Sequence, residues 1–288
     1  MLQAESLLCH TFCEKITQKV RQPLRGRSSQ LKLMLAGRLR RPKREIMKIL
    51  SWNCNMAFRK KADIIDAYKP DIAIIPECEC KDVFEGNKVD LGNSKFIWHG
   101  KNKNKGLGVF SFGEYSIEVL DHNEEFEYII PINVKHNTES FILLAIWTQF
   151  VNKNIYDSYV VQAARAFKQY SKYLEDPNVI IVGDFNSNSI WDYESKKEYN
   201  HSDMVKILKE YNIYSIYHEL NSKNHGVEED ATLYMQRKKE KPYHIDYCFC
   251  KKDHIHNVKE FRIGKYDDYI GKSDHMPLFI EIEENRNS

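Results

Sequence analysis

Long apolar runs are missing from this chain. Over 288 residues no stretch approaches the 18 or so consecutive apolar residues of a membrane-crossing helix, so no membrane span is expected. No internal repeat or long low-complexity tract is present either, which removes solenoid and linker architectures. The opening Ser6-Leu7-Leu8-Cys9-His10 lacks the charged start and long apolar core of a secretory signal, and cytoplasmic residence is the expectation. A disulfide framework is also lacking. The seven cysteines are odd in number, and their C-x-C pairs, Cys78/Cys80 and Cys248/Cys250, miss the usual C-x₂₋₄-C zinc spacing. They read as small buried hydrophobes in a reducing compartment.

Net charge is nearly absent, at +2, but it is unevenly divided. Residues 1–46 hold 11 Lys or Arg against 3 Glu, whereas the remainder holds 32 basic and 38 acidic residues. A basic segment is thus joined to an acidic body, an unusual balance for a nucleic-acid protein, whose phosphate contacts leave a basic footprint. The first 46 residues carry Leu8, Phe12, Ile16 and Val20 at a four-residue spacing and then a run rich in Arg. They read as an inert extension, as a tether for an anionic surface, or as a segment ahead of a true start at Met47. Residues 47–288 suffice for one substantial domain.

From Met47 onward, short apolar strands alternate with helices and polar loops. Strands are expected near 49–52, 72–75, 96–99, 108–112, 117–120, 128–134, 141–147, 179–182, 231–235, 243–250, 256–263 and 278–282. Helices are expected over 62–68, 158–174 and 202–210, and Ile213 to Tyr217 reads as a further apolar segment. The density of strands favours hairpins over simple βαβ units, which makes an α+β domain.

Several of these strands end in groups that carry chemistry. Val179-Ile180-Ile181-Val182 runs into Gly183-Asp184-Phe185-Asn186, presenting an acid and an amide two residues apart. Alone, that tetrapeptide also suits a turn. Ile74-Ile75-Pro76-Glu77 brings an acid to the end of a buried element, where a carboxylate is costly unless paired or bound to a cation, and Glu77 is preferred to Glu79 for its closeness to the strand. Ser51-Trp52-Asn53 offers an amide oxygen that can ligate magnesium, or simply an Asx turn. Asp246 lies in an aromatic strand and needs a partner. His275, in Ser273-Asp274-His275-Met276-Pro277, can supply it by donating a ring N–H and keeping its other nitrogen for substrate.

Taken in order, Ser51-Trp52-Asn53, Pro76-Glu77-Cys78-Glu79, Gly183-Asp184-Phe185-Asn186, His244-Ile245-Asp246-Tyr247 and Ser273-Asp274-His275 resemble the motifs of the endonuclease/exonuclease/phosphatase superfamily, over Met47 to Ile282. The resemblance implies a four-layer αββα sandwich of two packed mixed β-sheets, DNase-like. It implies a Mg²⁺ site, tolerant of Mn²⁺, with Glu77 as the main ligand, Asn53 beside it and Asp274 as an additional acid. It further implies that Asp184 positions water, Asn186 contacts phosphate, and Asp246 with His275 forms a coupled pair on the scissile phosphate. Two departures from the apurinic-site branch are visible. Asn55 stands where an aspartate is common, and Trp147-Thr148-Gln149 occupies a region that usually supplies a tyrosine or histidine. Asn55, Trp147 and Gln149 are candidate substrate contacts, with Trp147 also suited to sealing the core. The expected substrate is a nucleic-acid phosphodiester, helped by Arg59, Lys60, Lys61, Lys101, Lys103, Lys105 and Trp191. A small nucleotide, inositol phosphate or lipid headgroup is the alternative.

Overall fold

Alternation of side chains along the strands builds this fold, because successive residues point to opposite sheet faces. The computed structural model describes residues 45–87, 92–150, 157, 159–193 and 198–284. The basic segment, with its apolar periodicity, Cys9 and Cys13, lies outside them apart from Glu45 and Ile46. Fourteen strands are present among the described residues: β1 (Ile46–Ser51), β2 (Ile72–Cys78), β3 (Lys95–Asn102), β4 (Lys105–Ser111), β5 (Ser116–Val119), β6 (Ile129–His136), β7 (Glu139–Trp147), β8 (Ile180–Asp184), β9 (Ile213–Ser215), β10 (Leu233–Tyr234), β11 (Pro242–Tyr243), β12 (Asp246–Lys251), β13 (Val258–Ile263) and β14 (Leu278–Glu283). They form two six-stranded sheets, ordered β13-β14-β1-β2-β4-β3 and β5-β6-β7-β8-β12-β9, and a small β10-β11 ribbon.

Each large sheet is antiparallel except for one central parallel pair, β1/β2 in the first and β7/β8 in the second. A parallel pair needs a crossover. Helix α1 (Asp63–Tyr68) lies in the first crossover, and α3 (Val160–Gln169) with α4 (Ser171–Leu174) in the second, α2 (Lys81–Gly86) falling between them in the chain. Inner faces meet through Ile72, Ile74, Leu143, Ala145, Ile180, Val182, Cys248, Cys250 and Ile280. The alternate residues Ala73 and Ile75 face the side of α1, while Val179, Ile181, Tyr247 and Phe249 pack with α3 and α5 (His201–Glu210). Helices therefore cover both outer faces of an α+β pair of mixed sheets. No helix among the described residues is long and apolar enough to cross a membrane.

Three elements differ from the sequence expectation. The helix expected over 158–174 is interrupted at Tyr170, whose ring is buried edge-on against Phe126. The apolar segment at Ile213 divides after Ser215 into β9 and a helix α6 (Ile216–Asn221), since a short apolar run fits either element. The strand expected over 243–250 is broken at His244-Ile245, so Asp246 becomes the first residue of β12 instead of a mid-strand acid. Helix α7 (Tyr266–Tyr269) precedes β14 and carries no strong periodic signal. Of the two C-x-C pairs, Cys248 and Cys250 share the inner face of β12, whereas β2 ends at Cys78 and leaves Cys80 half-buried beyond it.

Gly183 is where the second sheet tolerates no side chain. Its φ is +147°, and a Cβ there would lie 1.9 Å from the Ile146 carbonyl oxygen of β7. Gly113 also has positive φ but open space around it. Gly183→Ala should therefore cost about 2–4 kcal/mol and Gly113→Ala about 1 kcal/mol. Denaturant titration of the two variants checks this, and equal losses would contradict the close approach at Gly183.

Candidate active site

The parallel pairs aim their C-terminal ends at one region. Asn53 follows β1, Glu77 is the penultimate residue of β2, Thr148 follows β7 and Asp184 ends β8. The antiparallel partner β12 begins with Asp246, in direct register with Asp184. Two acids thus face each other across adjacent strands, Asp184 0 % exposed and Asp246 2 %. His275, 6 % exposed, stands between them: Nδ1 lies 2.9 Å from an Asp246 oxygen and Nε2 3.9 Å from an Asp184 oxygen. Ligand atoms of this trio all lie within 4.8 Å of one another.

Amides hold Asp184 on its remaining sides. One carboxylate oxygen accepts from the Asn186 backbone N–H at 2.9 Å, and the other accepts from the side-chain amides of Asn53 and Asn186, each at 2.9 Å. Burial pushes the Asp184 carboxyl up, and the charge of Asp246 adds to it; His275 and the amides oppose them, leaving it at about 7. For His275, burial acts to lower the imidazolium, but the charges of Asp246 and Asp184 outweigh it and raise it to about 10. At neutral pH His275 is a cation between two acids.

The segment carrying His275 is anchored by groups that residue chemistry alone did not single out. Ser273 Oγ donates to the Asn53 carbonyl at 2.8 Å and accepts from the His275 N–H at 3.1 Å. Trp52 Nε1 donates to the His275 carbonyl at 2.9 Å. Thr232 Oγ1 accepts from the backbone N–H groups of Ile245 and Asp246, at 2.9 and 3.0 Å, fixing the start of β12. Thr148 is 0 % exposed, donates its hydroxyl to the Phe185 carbonyl, and its backbone carbonyl accepts from the Asn186 side-chain amide at 3.0 Å. Trp52 and Ser273 sit inside the motifs without a role of their own, and the hydroxyls of Thr148 and Thr232, at strand ends, leave no distinctive sequence signal.

The remaining candidates fall into three groups. Asn55 donates to Asp274 at 2.7 Å, from a stretch in which Asn55, Met56 and Ala57 all have positive φ; the carbonyls of Cys54, Asn55 and Met56 accept from the Lys61 ammonium. Glu77 also has positive φ, 63°, at a bulge in the β2/β4 pairing, and its carboxylate is 3.2 Å from the Lys105 ammonium. Glu79 is fully buried against Arg59. Asn53 and Asn186 are turned toward Asp184, and in this arrangement the Asn186 side-chain amide is spent on the Asp184 carboxylate and the Thr148 carbonyl. Trp147 takes the core-sealing position of its two readings: it is 3 % exposed and packed between the sheets with its ring edge-on to Tyr128. Gln149 is half-buried, and its Nε2 has no partner among the described residues.

The basic groups expected to meet a polyanion are largely engaged within the protein. Arg59 serves Glu79, Lys61 the carbonyls of the Asn55 loop, Lys101 pairs with Glu127 at 2.8 Å, and Lys105 pairs with Glu77. Beside Asn186 a cavity of about 240 Å³ is walled by Tyr159, Trp191, Leu233 and Met235. The β10-β11 ribbon projects Arg237, Lys238 and Lys239, all exposed, from the same edge, with Lys241 half-buried after them. Their Arg-Lys-Lys-Glu-Lys run was the available sequence signal for this basic feature.

With that geometry in place, comparison with known proteins is informative. No protein-family model matches the chain, and no curated protein sequence matches it. Solved structures do. An AP endonuclease from Leishmania major aligns with TM-score 0.63 and 12% identity, over 85% of this chain and 89% of that one. A 3′ phosphatase from Neisseria, bound to product DNA hairpin, aligns with TM-score 0.61 and 14% identity over 83% of this chain and 100% of that one. An AP endonuclease from Archaeoglobus fulgidus gives 0.60 and 16% over 83% and 100%. These likenesses show a fold shared with AP endonucleases and a 3′ phosphatase, an α+β pair of packed mixed sheets with helices outside. Within that fold, the sandwich expected from the motifs of this chain is the observed architecture.

The ion pair at the centre of the site makes a direct prediction. In protein treated with a chelator, the His275 ring should stay protonated through neutral pH, titrating near 10. Because this value lies above the ordinary 6.5, the pair stabilises the fold fully below pH 6.5, and that contribution is lost as pH rises toward 10. Imidazole nitrogen shifts followed by NMR against pH measure it, and Asp246→Asn should bring the titration down by at least about 1–2 units. An unaltered titration in that variant would remove Asp246 as the partner that charges His275.

Proposed function

We propose that this protein is a divalent-metal-dependent hydrolase of phosphodiester bonds in nucleic acid. The observation that carries the reading is the buried Asp184–His275–Asp246 assembly at the meeting ends of the two sheets. A fully buried acid pair flanking a cation is a poor way to gain stability. It is an effective way to hold a proton acceptor near neutrality beside a fixed positive charge.

Glu77, Asp274 and Asn53 are the proposed holders of the ion, magnesium with manganese as a substitute, because a hard-oxygen donor set suits these ions. The fit rests on this chain's own geometry. The bulge turns the Glu77 carboxylate, whose side chain is 18% exposed, outward to a mobile ammonium partner, and Asp274 is held by a neutral amide, so neither acid is locked into a buried ion pair. When bound, such an ion supplies positive charge to a non-bridging phosphate oxygen and to the leaving oxygen.

Asp184, fixed by three N–H donors, accepts a proton from the attacking water. His275 offers its Nε2–H to the phosphoryl oxygens as they gain charge, and Asp246 keeps the ring oriented through Nδ1. Asn186 and Asn53 maintain the direction of the Asp184 carboxylate. Gln149, with an unpartnered amide donor, is proposed as a contact to substrate, and Asn55 as a support for Asp274.

Two observations bear on the substrate. The aromatic cavity and the basic ribbon lie on one edge, and stacking surfaces beside positive charge suit a polynucleotide. Against this, the engagement of Arg59, Lys61, Lys101 and Lys105 reduces the positive surface available, which favours a small phosphoester as the second reading. The two separate on charge removal from the ribbon. Lys238→Ala with Lys239→Ala should raise KM for single- or double-stranded DNA or RNA by about 10-fold, lower the salt dependence of binding, and leave hydrolysis of a small aryl phosphodiester unchanged. No polymer cleavage on any of these substrates, with nucleotide or inositol phosphate turned over instead, would establish the second reading.

Asp184→Asn and His275→Ala test the chemistry itself. Each should reduce metal-dependent turnover by about 10²–10⁴-fold. Asp184→Asn should at the same time leave Tm unchanged or raised, since it relieves the repulsion with Asp246. Full activity in either variant would place the chemistry elsewhere.

A further inference from the structure

On the outer side of β12, away from the acid pair, four histidines surround one tyrosine. His201 opens α5, His218 lies in α6, His225 in the loop after it, and His244 in the break between β11 and β12. The rings of His201, His225 and His244 have centroids 5.2, 5.7 and 5.0 Å from that of Tyr247, and His218 stacks on His225 at 3.6 Å. Glu228 joins them with an oxygen 2.9 Å from His218 Nε2. Ligand atoms of His218, His225 and Glu228 all lie within 4.8 Å of one another.

Imidazoles are an expensive filling for a core that already packs Phe167, Phe185 and Phe249 on the same side. Their hydrogen bonds show what they are arranged to do. His218 Nδ1 is 2.7 Å from Ser215 Oγ, and His225 Nδ1 is 2.9 Å from His201 Nε2. His201 Nδ1 in turn is 3.2 Å from Ser187 Oγ. If His225 Nδ1 donates to His201, His225 Nε2 is left as a lone pair. His218 Nε2 faces the Glu228 carboxylate and donates to it, a proton that an incoming cation would replace, with Nδ1 then donating to Ser215 Oγ, the arrangement seen where a metal-bound histidine donates its second ring nitrogen outward. His244 is constrained the same way. Its Nδ1 faces the Asp230 carbonyl at 2.7 Å and must carry the proton, so Nε2 is an acceptor, and that buried atom has no partner among the described residues.

We propose that His218, His225 and Glu228 form a second metal site, separate from the catalytic acids, which takes a zinc-class divalent ion, with His244 as the fourth donor. Two or three imidazoles and one carboxylate are a donor set that zinc accepts in four-coordinate sites. Tetrahedral binding brings ligand atoms to roughly 3.3 Å apart, given metal–ligand bonds of about 2.0–2.1 Å, so loading draws the three residues together and splays the stacked rings. Access is through a cavity of about 220 Å³ bordered by Glu228, His244, Gly226 and Asn188.

The position gives the site a structural purpose. Tyr247 Oη lies 3.0 Å from the Ser187 carbonyl and 2.7 Å from that of His244, while Asn188 Nδ2 bonds the same His244 carbonyl at 2.8 Å. These residues belong to the two segments that carry Asp184, Asn186 and Asp246. An ion held by α6, the following loop and His244 would clamp the 221–230 loop to the base of the catalytic strands.

The experiment uses the full chain, stripped with chelator and titrated with zinc alone or cobalt(II) alone. Wild-type protein and Asp184→Asn should each take up one zinc per chain with Kd of about 1 µM or tighter. At a 100-fold excess over Kd, Tm should rise by about 5–10 °C, an increase that magnesium does not reproduce. His225→Gln and Glu228→Gln should weaken uptake at least about 100-fold. Cobalt should give visible absorption of four-coordinate type, and zinc should shift the imidazole nitrogens of His218 and His225 in wild-type protein, a readout that needs no variant to fold. Absence of zinc uptake by wild-type protein, or uptake lost in Asp184→Asn and kept in His225→Gln, overturns the proposal.

Discussion

Two carboxylates set directly opposite each other on neighbouring strands, in the dry end of a β-sandwich, are the constraint around which this protein is organised. Asp184 and Asp246 share a register position, and cross-strand like charges repel. Burial removes the water that would screen them. The site exists because His275 enters from the other sheet, at the start of the β14 approach, and places a cation against both. The interaction therefore also ties the sheets together at the functional end. Removing the imidazole would leave an uncompensated acid pair, and removing one acid would lower the charge on the ring.

Everything near this trio fixes a direction. The two parallel pairs bring four strand ends together, and Gly183 lets β8 approach β7 closely enough for Asp184 to sit beside Thr148. Hydroxyls of Thr148, Thr232 and Ser273 satisfy backbone groups just where strands give way to loops, the places where buried N–H and C=O groups otherwise lose their partners. The left-handed residues at Asn55, Met56, Ala57 and Glu77 carry backbone strain of the sort that accumulates where side chains must be aimed. Lys61 offsets part of it by gathering the loop carbonyls.

Much of this was legible in the sequence. Apolar runs such as Ile72–Ile75 and Val179–Val182, short and rich in β-branched residues, read as buried strands, and acids at their ends announced themselves by cost. Asp246 in an aromatic setting required a partner, and His275 was the natural one. What was not legible depends on contacts between distant residues. Trp147 stands at a strand end, where either exposure or burial is compatible with its neighbours, and only the packing of Tyr128 and the opposing sheet decides for burial. Asn186 has the right chemistry to reach a phosphate, yet its amide is held by Asp184 and the Thr148 carbonyl. The histidines at 201, 218, 225 and 244 are too scattered along the chain to suggest a group, and His218 joins the others because the apolar segment after Ile213 turns into α6.

The pairing of charges also explains how so acidic a pocket can fold. Asp246 has His275, Asp184 has three N–H donors, Asp274 has the Asn55 amide and Glu77 has the Lys105 ammonium. Each acid is matched by a group of the chain itself, so assembly of the sandwich does not wait on an ion. The partners differ in kind, however. Those of Asp184 and Asp246 are buried and rigid, whereas Lys105 is partly exposed on a flexible stem, and its ammonium can leave Glu77 at little cost. On the proposed function, the permanent pairs are the proton-handling centre and the exchangeable pair is the edge at which a divalent cation enters. An aspartate at position 55 would have placed another acid against Asp274 and added repulsion where the amide now donates. Asparagine there keeps the pocket's charge within what the chain can neutralise.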